Sequence, residues 1–262
     1  MTYFDEFNNK VFIITGASRG IGEAVAKSLM PYKCKVIWVA RHEIDPLYIN
    51  NINSQSASTN YFFNLDVSDP CAVEHLFIRI GEITKEVHVL INAAAVLGPS
   101  GLFCDNDPFQ WFETFKINVF GTFNMMKFVI PLMSSGQGGS IINFSGGGAA
   151  SPSPDFSAYG ASKAAVVRLT ETAATEISNK NIRINVIAPG ANKTRMLDQF
   201  INSGGKPQTV VTIDKPVELV HFLSSTISNH ISGKFIHVLD DYRSFSEDIN
   251  HKSIYTLRRI EE

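Results

Sequence analysis

Tyr159 and Lys163 stand four residues apart in the segment Tyr159-Gly160-Ala161-Ser162-Lys163. On a helix that spacing puts both side chains on one face, one turn apart. A free phenol titrates near ~10, too high to exchange protons well at neutral pH. A neighbouring ammonium favours the phenolate and lowers that value. Such a tyrosine can protonate a carbonyl oxygen, or take the proton from an alcohol in the reverse direction. Many exposed helices carry a Tyr-x-x-x-Lys pair by chance, so the pair gains meaning only beside a second motif.

That motif lies about 140 residues upstream, as Thr15-Gly16-Ala17-Ser18-Arg19-Gly20-Ile21-Gly22. It follows an apolar run and precedes an amphipathic one, and it has the GxxxGxG spacing of a dinucleotide-binding turn. Gly16 permits the tight turn, Gly20 lets the backbone approach a pyrophosphate, and Gly22 lets the helix pack closely on the sheet. Ser18 and Ile21 lie among the free amides at the helix start, which would face the anion. A bound nicotinamide ring, positive when oxidised, would further favour the Tyr159 phenolate. Which nicotinamide dinucleotide fits turns on charge near the adenosine ribose. An acid at the end of the second strand would bind a 2′-hydroxyl and repel a 2′-phosphate. Here that strand ends Val39-Ala40-Arg41, with no acid before Glu43, and Arg19 adds a second cation inside the turn. Two guanidinium forks suit phosphate oxygens, so NADP(H) is expected over NAD(H); the alternative is a pair of solvated surface arginines.

The elements that must hold these groups alternate regularly. Short apolar runs predict strands at Val11 to Thr15, Val36 to Ala40, Tyr61 to Leu65, Val87 to Ile91, Ser140 to Phe144, Ile182 to Ile187 and Lys234 to Val238. Helices are expected at about Ile21 to Met30, Asp69 to Lys85, Phe109 to Met133, Ser157 to Asn179 and Pro216 to Ser225. The polar stretch from Ile49 to Asn60 is expected to hold at most a short helix. Strand-helix alternation with right-handed crossovers gives an α/β fold, a doubly wound parallel sheet of seven strands with helices on both faces. One domain accounts for residues 1–262, with a polar tail from about Asp241.

Of the 262 residues, 44% are hydrophobic and 18% charged, an ordinary globular mix, and the net charge of −2 argues against nucleic acid or an anionic membrane as partner. A small-molecule ligand is the better match. No apolar run approaches a membrane span, and Met1 to Glu6 lacks the pattern of a signal peptide. Cys34, Cys71 and Cys104 form neither a disulfide framework nor a zinc pattern, so reduced thiols in the cytoplasm are expected. The seven histidines have no metal-ligand spacing, and no metal is expected.

Between about residues 10 and 240 the chain resembles the short-chain dehydrogenase/reductase family in its compact, Rossmann-type form. Besides the glycine turn and Tyr159-x3-Lys163, the matching motifs are Asp66-Val67, Asn92-Ala93-Ala94, Asn118 and Pro189-Gly190-x3-Thr194. The resemblance implies that Asp66 binds the adenine amino group and that Asn92 sits beside the cofactor while stabilising the sheet. It also implies that Lys163 holds the nicotinamide ribose hydroxyls and that Asn118 holds a water relaying protons from Lys163 to solvent. Pro189, Gly190 and Thr194 would line the carboxamide. The activity implied is reversible hydride transfer between NADP(H) and a small carbonyl or alcohol.

The pattern is broken in three places. The family has a serine thirteen residues before the tyrosine, where this chain has Gly146; Ser145 is expected to supply the hydroxyl through a one-residue shift absorbed by Gly146 to Gly148. Ala94 replaces a glycine, which an alanine with negative φ can tolerate. After the last strand comes Asp240-Asp241-Tyr242-Arg243 and a tail that could cover the substrate cleft, cover a subunit interface, or be mobile. The segment from Ala191 to Asp214 reads as a lid with glycine hinges at Gly204 and Gly205, its cations favouring an acidic or phosphate-bearing substrate or simply solvated. Phe120, Phe123, Met126 and Val129 exceed what one buried stripe needs, and the resemblance implies a homodimer or homotetramer. A rival reading keeps the cofactor site but loses turnover with the serine, leaving a regulatory or scaffold protein.

Overall fold

The computed structural model describes residues 6–257. Met1 to Asp5, read above as lacking a signal peptide, and the tail's end from Arg258 to Glu262 lie outside the described residues.

Seven parallel strands form one sheet in the order β3-β2-β1-β4-β5-β6-β7. They are β1 (Val11–Thr15), β2 (Lys35–Ala40), β3 (Thr59–Asn64), β4 (Val89–Asn92), β5 (Gly139–Phe144), β6 (Ile182–Ala188) and β7 (Phe235–His237). Every residue of β1 is buried, and so is nearly every residue of β2, β4, β5 and β6. Sequence alternation therefore decides which helical layer a side chain meets, not whether it meets water. Phe12, Ile14 and Trp38 join a core with α1 (Gly20–Ser28) and α8 (Asp214–Ser224). Val11, Ile13 and Ile37 face the opposite way, toward α3 (Pro70–Ile83) and α5 (Gly121–Ser135). The chain reverses direction across the sheet between β1 and β4, and a crevice opens at the carboxyl ends of these strands.

Three elements differ from expectation. The polar connection before β3 carries a ten-residue helix, α2 (Pro46–Gln55), started by Pro46 and by Asp45, whose carboxylate accepts from the Leu47 amide at 2.8 Å. The helix expected from Phe109 to Met133 is α4 (Pro108–Phe115) and α5 joined by a π turn at Lys116–Phe120. Within its apolar surplus, Met126 and Val129 are core residues, so only Phe120 and Phe123 remain exposed, in line with Phe109 and Phe112. The expected lid contains α7 (Arg195–Asn202).

The tail is docked. Tyr242 and Ile249 are buried in the core with Phe222, the Phe245 and Tyr255 rings sit 4.5 Å apart, and the Lys234 ammonium donates to the Lys252 carbonyl at 2.7 Å. The Phe235 amide of β7 donates to Tyr255 O at 2.7 Å, and the His237 amide to an Asp240 carboxylate oxygen at 2.7 Å. No described tail residue lines the crevice. No helix among the described residues is long and apolar enough to cross a membrane.

Candidate active site

The glycine turn leaves β1 at Thr15 and enters α1 with Arg19 in the cap position. Its glycines are required by close approach. A Cβ on Gly16, which has φ of +67°, would lie 2.9 Å from the Ala94 backbone, and one on Gly22 would lie 2.5 Å from the Gly16 carbonyl oxygen. Ala94 takes no left-handed backbone among the described residues, so the glycine-to-alanine change is accommodated.

Tyr159 and Lys163 lie in α6 (Ser157–Glu176) and face the same crevice as the glycine turn. The helix start is pinned from outside by the Trp111 indole, which donates to Ser157 Oγ at 3.2 Å. Lys163 is tied to the end of β5 twice over: its Nζ donates to the Phe144 carbonyl at 2.8 Å, and its own carbonyl accepts from Ser145 Oγ at 3.0 Å. Nζ stands 5.7 Å from the centre of the Tyr159 ring. Burial pushes the Tyr159 phenol up to about 12 and the Lys163 ammonium down to about 8. The phenol shift runs opposite to the lowering expected from sequence. Around these groups the protein supplies desolvation, which opposes charge on both, whereas the lowering argument counted only a charged neighbour. At neutral pH Lys163 still carries its proton.

Asn118, fully buried in the π turn, works as a three-way tie. Its Oδ1 accepts from the Val96 amide at 2.8 Å, and its Nδ2 donates to the Val96 carbonyl and to Ser162 Oγ, both at 3.0 Å. Ser162 Oγ in turn donates to the Tyr159 carbonyl at 2.8 Å. The side chain thereby joins the loop after β4 to the helix carrying Tyr159 and Lys163.

Three expected positions stand differently from the sequence reading, although Ser145 does border the crevice. Ser145 does not turn its hydroxyl to Tyr159. Its amide still pairs with Ile187 O at 2.8 Å, so the strand pleat continues through it and its side chain points to the α6 side. The residue facing the phenol is Gly146, where a Cβ would lie 3.0 Å from Tyr159 Oη. Asn92 is buried between sheet and helices, its Nδ2 donating to Asn143 Oδ1 at 2.9 Å, and it does not line the crevice. Gly190, with φ of +65°, shapes the loop beneath Val211 and likewise does not line it. Replacement Ser145→Ala is therefore expected to leave turnover near wild type and to cost about 0.5–1.5 kcal/mol of stability, read from a melting curve beside an activity assay.

The remaining expected residues converge. Gly16, Ser18, Arg19, Gly20, Ile21, Gly22, Arg41, Asp66, Val67, Ala93, Pro189 and Thr194 line the crevice. Asp66 also ties its own turn, Oδ1 accepting from the Ser68 amide at 2.8 Å. Sequence reading missed His42 and Ile117, weighed Arg195 only as a lid cation toward the substrate and gave Met196 no role; all four line the same crevice. Position directly after Arg41 and directly after Thr194 was the available signal for His42 and Arg195. The lining cations Arg19, Arg41, Lys163 and Arg195 outnumber a single acid, Asp66. A glycine cradle that no side chain could share, ending among guanidiniums, fits a phosphate-bearing dinucleotide.

Comparison with known proteins agrees. The family model described as short chain dehydrogenase matches residues 10–203. The 2,3-dihydro-2,3-dihydroxybenzoate dehydrogenase of Bacillus subtilis (strain 168) is 33% identical over 190 residues, covering 71% of each chain. Dehydrogenase/reductase SDR family member 4 of Homo sapiens is 32% identical over 252 residues, covering 90% of this chain and 88% of that one. A short chain dehydrogenase of Shigella flexneri 2a, solved in complex with NADP, superposes with a TM-score of 0.83 at 25% identity, covering 90% of this chain and 99% of that one. The chain belongs to the short-chain dehydrogenase/reductase family, a family of NAD(P)-dependent oxidoreductases.

Proposed function

We propose that the protein is an NADPH-dependent reductase of a small ketone or aldehyde, working in reverse as an alcohol dehydrogenase. The observation that carries this reading is one crevice with Tyr159 and Lys163 on its wall and Arg19 and Arg41 at its rim, where the second strand offers no acid. A short chain dehydrogenase of similar fold binds NADP, which supports the cofactor preference.

Gly16, Gly20 and Gly22 cradle the diphosphate, with Ser18 and Ile21 beside it, and Arg19 and Arg41 take the 2′-phosphate. Asp66 and Val67 hold the adenine, Ala93 packs on the cofactor, and Pro189 and Thr194 border the carboxamide. The bound nicotinamide supplies the hydride. Tyr159 gives its proton to the carbonyl oxygen, and Lys163, charged at neutral pH, holds the ribose hydroxyls and favours the phenolate left behind. Asn118 keeps Tyr159 and Lys163 aligned and borders the route by which a proton returns. No side-chain hydroxyl stands at Gly146, so substrate orientation falls on Tyr159 and the crevice walls. The chain acts as one domain, in the cytoplasm, with a small-molecule partner, and pairs with a second copy through the exposed Phe109, Phe112, Phe120 and Phe123.

The turned-away Ser145 favours a second reading, a cofactor-binding protein without turnover. A panel of small carbonyls, assayed by oxidation of NADPH and of NADH, separates the two. Turnover with NADPH preferred is expected; tight NADPH binding with no turnover on any substrate overturns the first reading in favour of the second.

A further inference from the structure

Arg195 opens α7, directly after Thr194, whose hydroxyl caps the helix by accepting from the Leu197 amide. The start of this lid is fixed in place. Thr194 Cγ2 lies 3.3 Å from where a Cβ on Gly20 would stand, so the lid rests on the glycine turn. Further along, the Phe200 ring packs 4.5 Å from Phe156 at the start of α6, and Ala191 is bridged to Val210. The lid therefore spans from the glycine turn to the helix of Tyr159, with Arg195 at its cofactor end.

The charge pattern there is unbalanced. Arg19, Arg41, His42 and Arg195 together line both the crevice and the second cavity that opens from it toward Gln199, Asn202 and Ser203. No carboxylate lines that second cavity. Arg19, Arg41 and Arg195 are all exposed, and none forms an ion pair among the described residues. Three cations gathered around one space repel each other unless an anion sits between them. Arg19 caps α1 and Arg41 follows β2, both at the carboxyl end of the sheet, whereas Arg195 comes from the lid. An anion bound by all three would tie the lid to the sheet.

Resting on the dinucleotide reading above, we propose that Arg195 is a lid-borne clamp on the cofactor's phosphates, tying the lid to the glycine turn and to the end of β2. The shared chemistry is a phosphate oxygen, from either the 2′-phosphate or the diphosphate, met by a guanidinium fork. This gives the lid cation a cofactor role rather than a substrate role.

The test uses the full chain with Arg195→Ala, Arg195→Lys and, as a control, Lys193→Ala, an exposed neighbour that lines neither cavity. Equilibrium binding of NADPH and of NADH is measured by calorimetry, and amide hydrogen exchange across residues 193–205 is followed with and without NADPH. Arg195→Ala is expected to bind NADPH about tenfold to a hundredfold more weakly, the loss of one charge-assisted bond, with Lys193→Ala unchanged. Arg195→Lys keeps part of the affinity. NADPH is expected to slow exchange across the lid in the wild type and not in Arg195→Ala. Weakening of NADPH alone assigns the 2′-phosphate; equal weakening of both dinucleotides assigns the diphosphate. Wild-type affinity for both in Arg195→Ala, or lid protection that survives the substitution, overturns the clamp while leaving the dinucleotide reading intact. A wild-type chain that binds neither dinucleotide overturns both.

Discussion

Replacing Tyr159 by phenylalanine is expected to lower kcat for carbonyl reduction by about 10²–10⁴ while leaving NADPH binding unchanged. The substitution removes one oxygen and keeps the ring that packs beside Lys163, so the crevice wall stays in place. Nothing nearby can take over. Ser145 has its hydroxyl on the Lys163 carbonyl, and Gly146 has no side chain to offer. The defect should therefore be deeper than where a neighbouring hydroxyl shares the substrate oxygen. The pH profile supplies a second readout. In the free protein the phenol, raised to about 12, stays protonated across the working range, whereas Lys163, lowered to about 8, loses its charge above that pH. The value of kcat/KM for NADPH is therefore expected to hold below about 8 and to fall above it. Full activity in Tyr159→Phe would show that the proton comes from elsewhere.

Gly22→Val is expected to abolish measurable NADPH binding and to lower the melting temperature. A Cβ at this position would stand 2.5 Å from Gly16 O and 3.1 Å from Thr15 O, both backbone atoms that cannot rotate away. Either α1 moves off the sheet or the turn opens, and each displaces the amides that meet the diphosphate. Overpacking of this kind costs about 1–3 kcal/mol, and in a chain of this size each kcal/mol is worth about 2–4 °C. Gly81→Val is the matched control, since a Cβ on Gly81 meets nothing within 4 Å. A thermal scan beside NADPH titration reads both effects; a Gly22→Val protein with normal affinity would remove the glycine cradle from the account.

Much of this was legible in the chain. The strands could be read because each is a compact apolar run ended by turn residues, and the glycine turn because its spacing is dictated by backbone contact. What escaped was orientation. Ser145 was assigned to the phenol on the assumption that three following glycines would bend the backbone, but pairing of its amide with Ile187 carries the strand one residue further. Side chains alternate along a strand, so the Asn143 and Ser145 side chains both bond into α6, while Gly146 is the position that faces the Tyr159 phenol. The same parity sends Asn92 inward with Leu90 and leaves Ala93 at the crevice. The π turn was hidden for another reason: it extends the helical ladder by one residue, and apolar periodicity over two turns is too coarse to register that. Helix α2 lacked an apolar stripe because it buries only Ile52.

The docked tail bears on how the molecule behaves at high concentration. A terminal strand normally exposes a row of amides that can capture a strand from a neighbour. In β7 the Phe235 and His237 amides are already satisfied, one by Tyr255 and the other by Asp240. That flank of the sheet is thereby closed to strand exchange, and growth into fibrils from it is blocked from within the same chain. A version ending at Asp240 would keep the nucleotide crevice, because no later described residue lines it, but would free the Phe235 amide that Tyr255 now satisfies. Such a version is expected to scatter light increasingly as it is concentrated, while the intact protein stays clear.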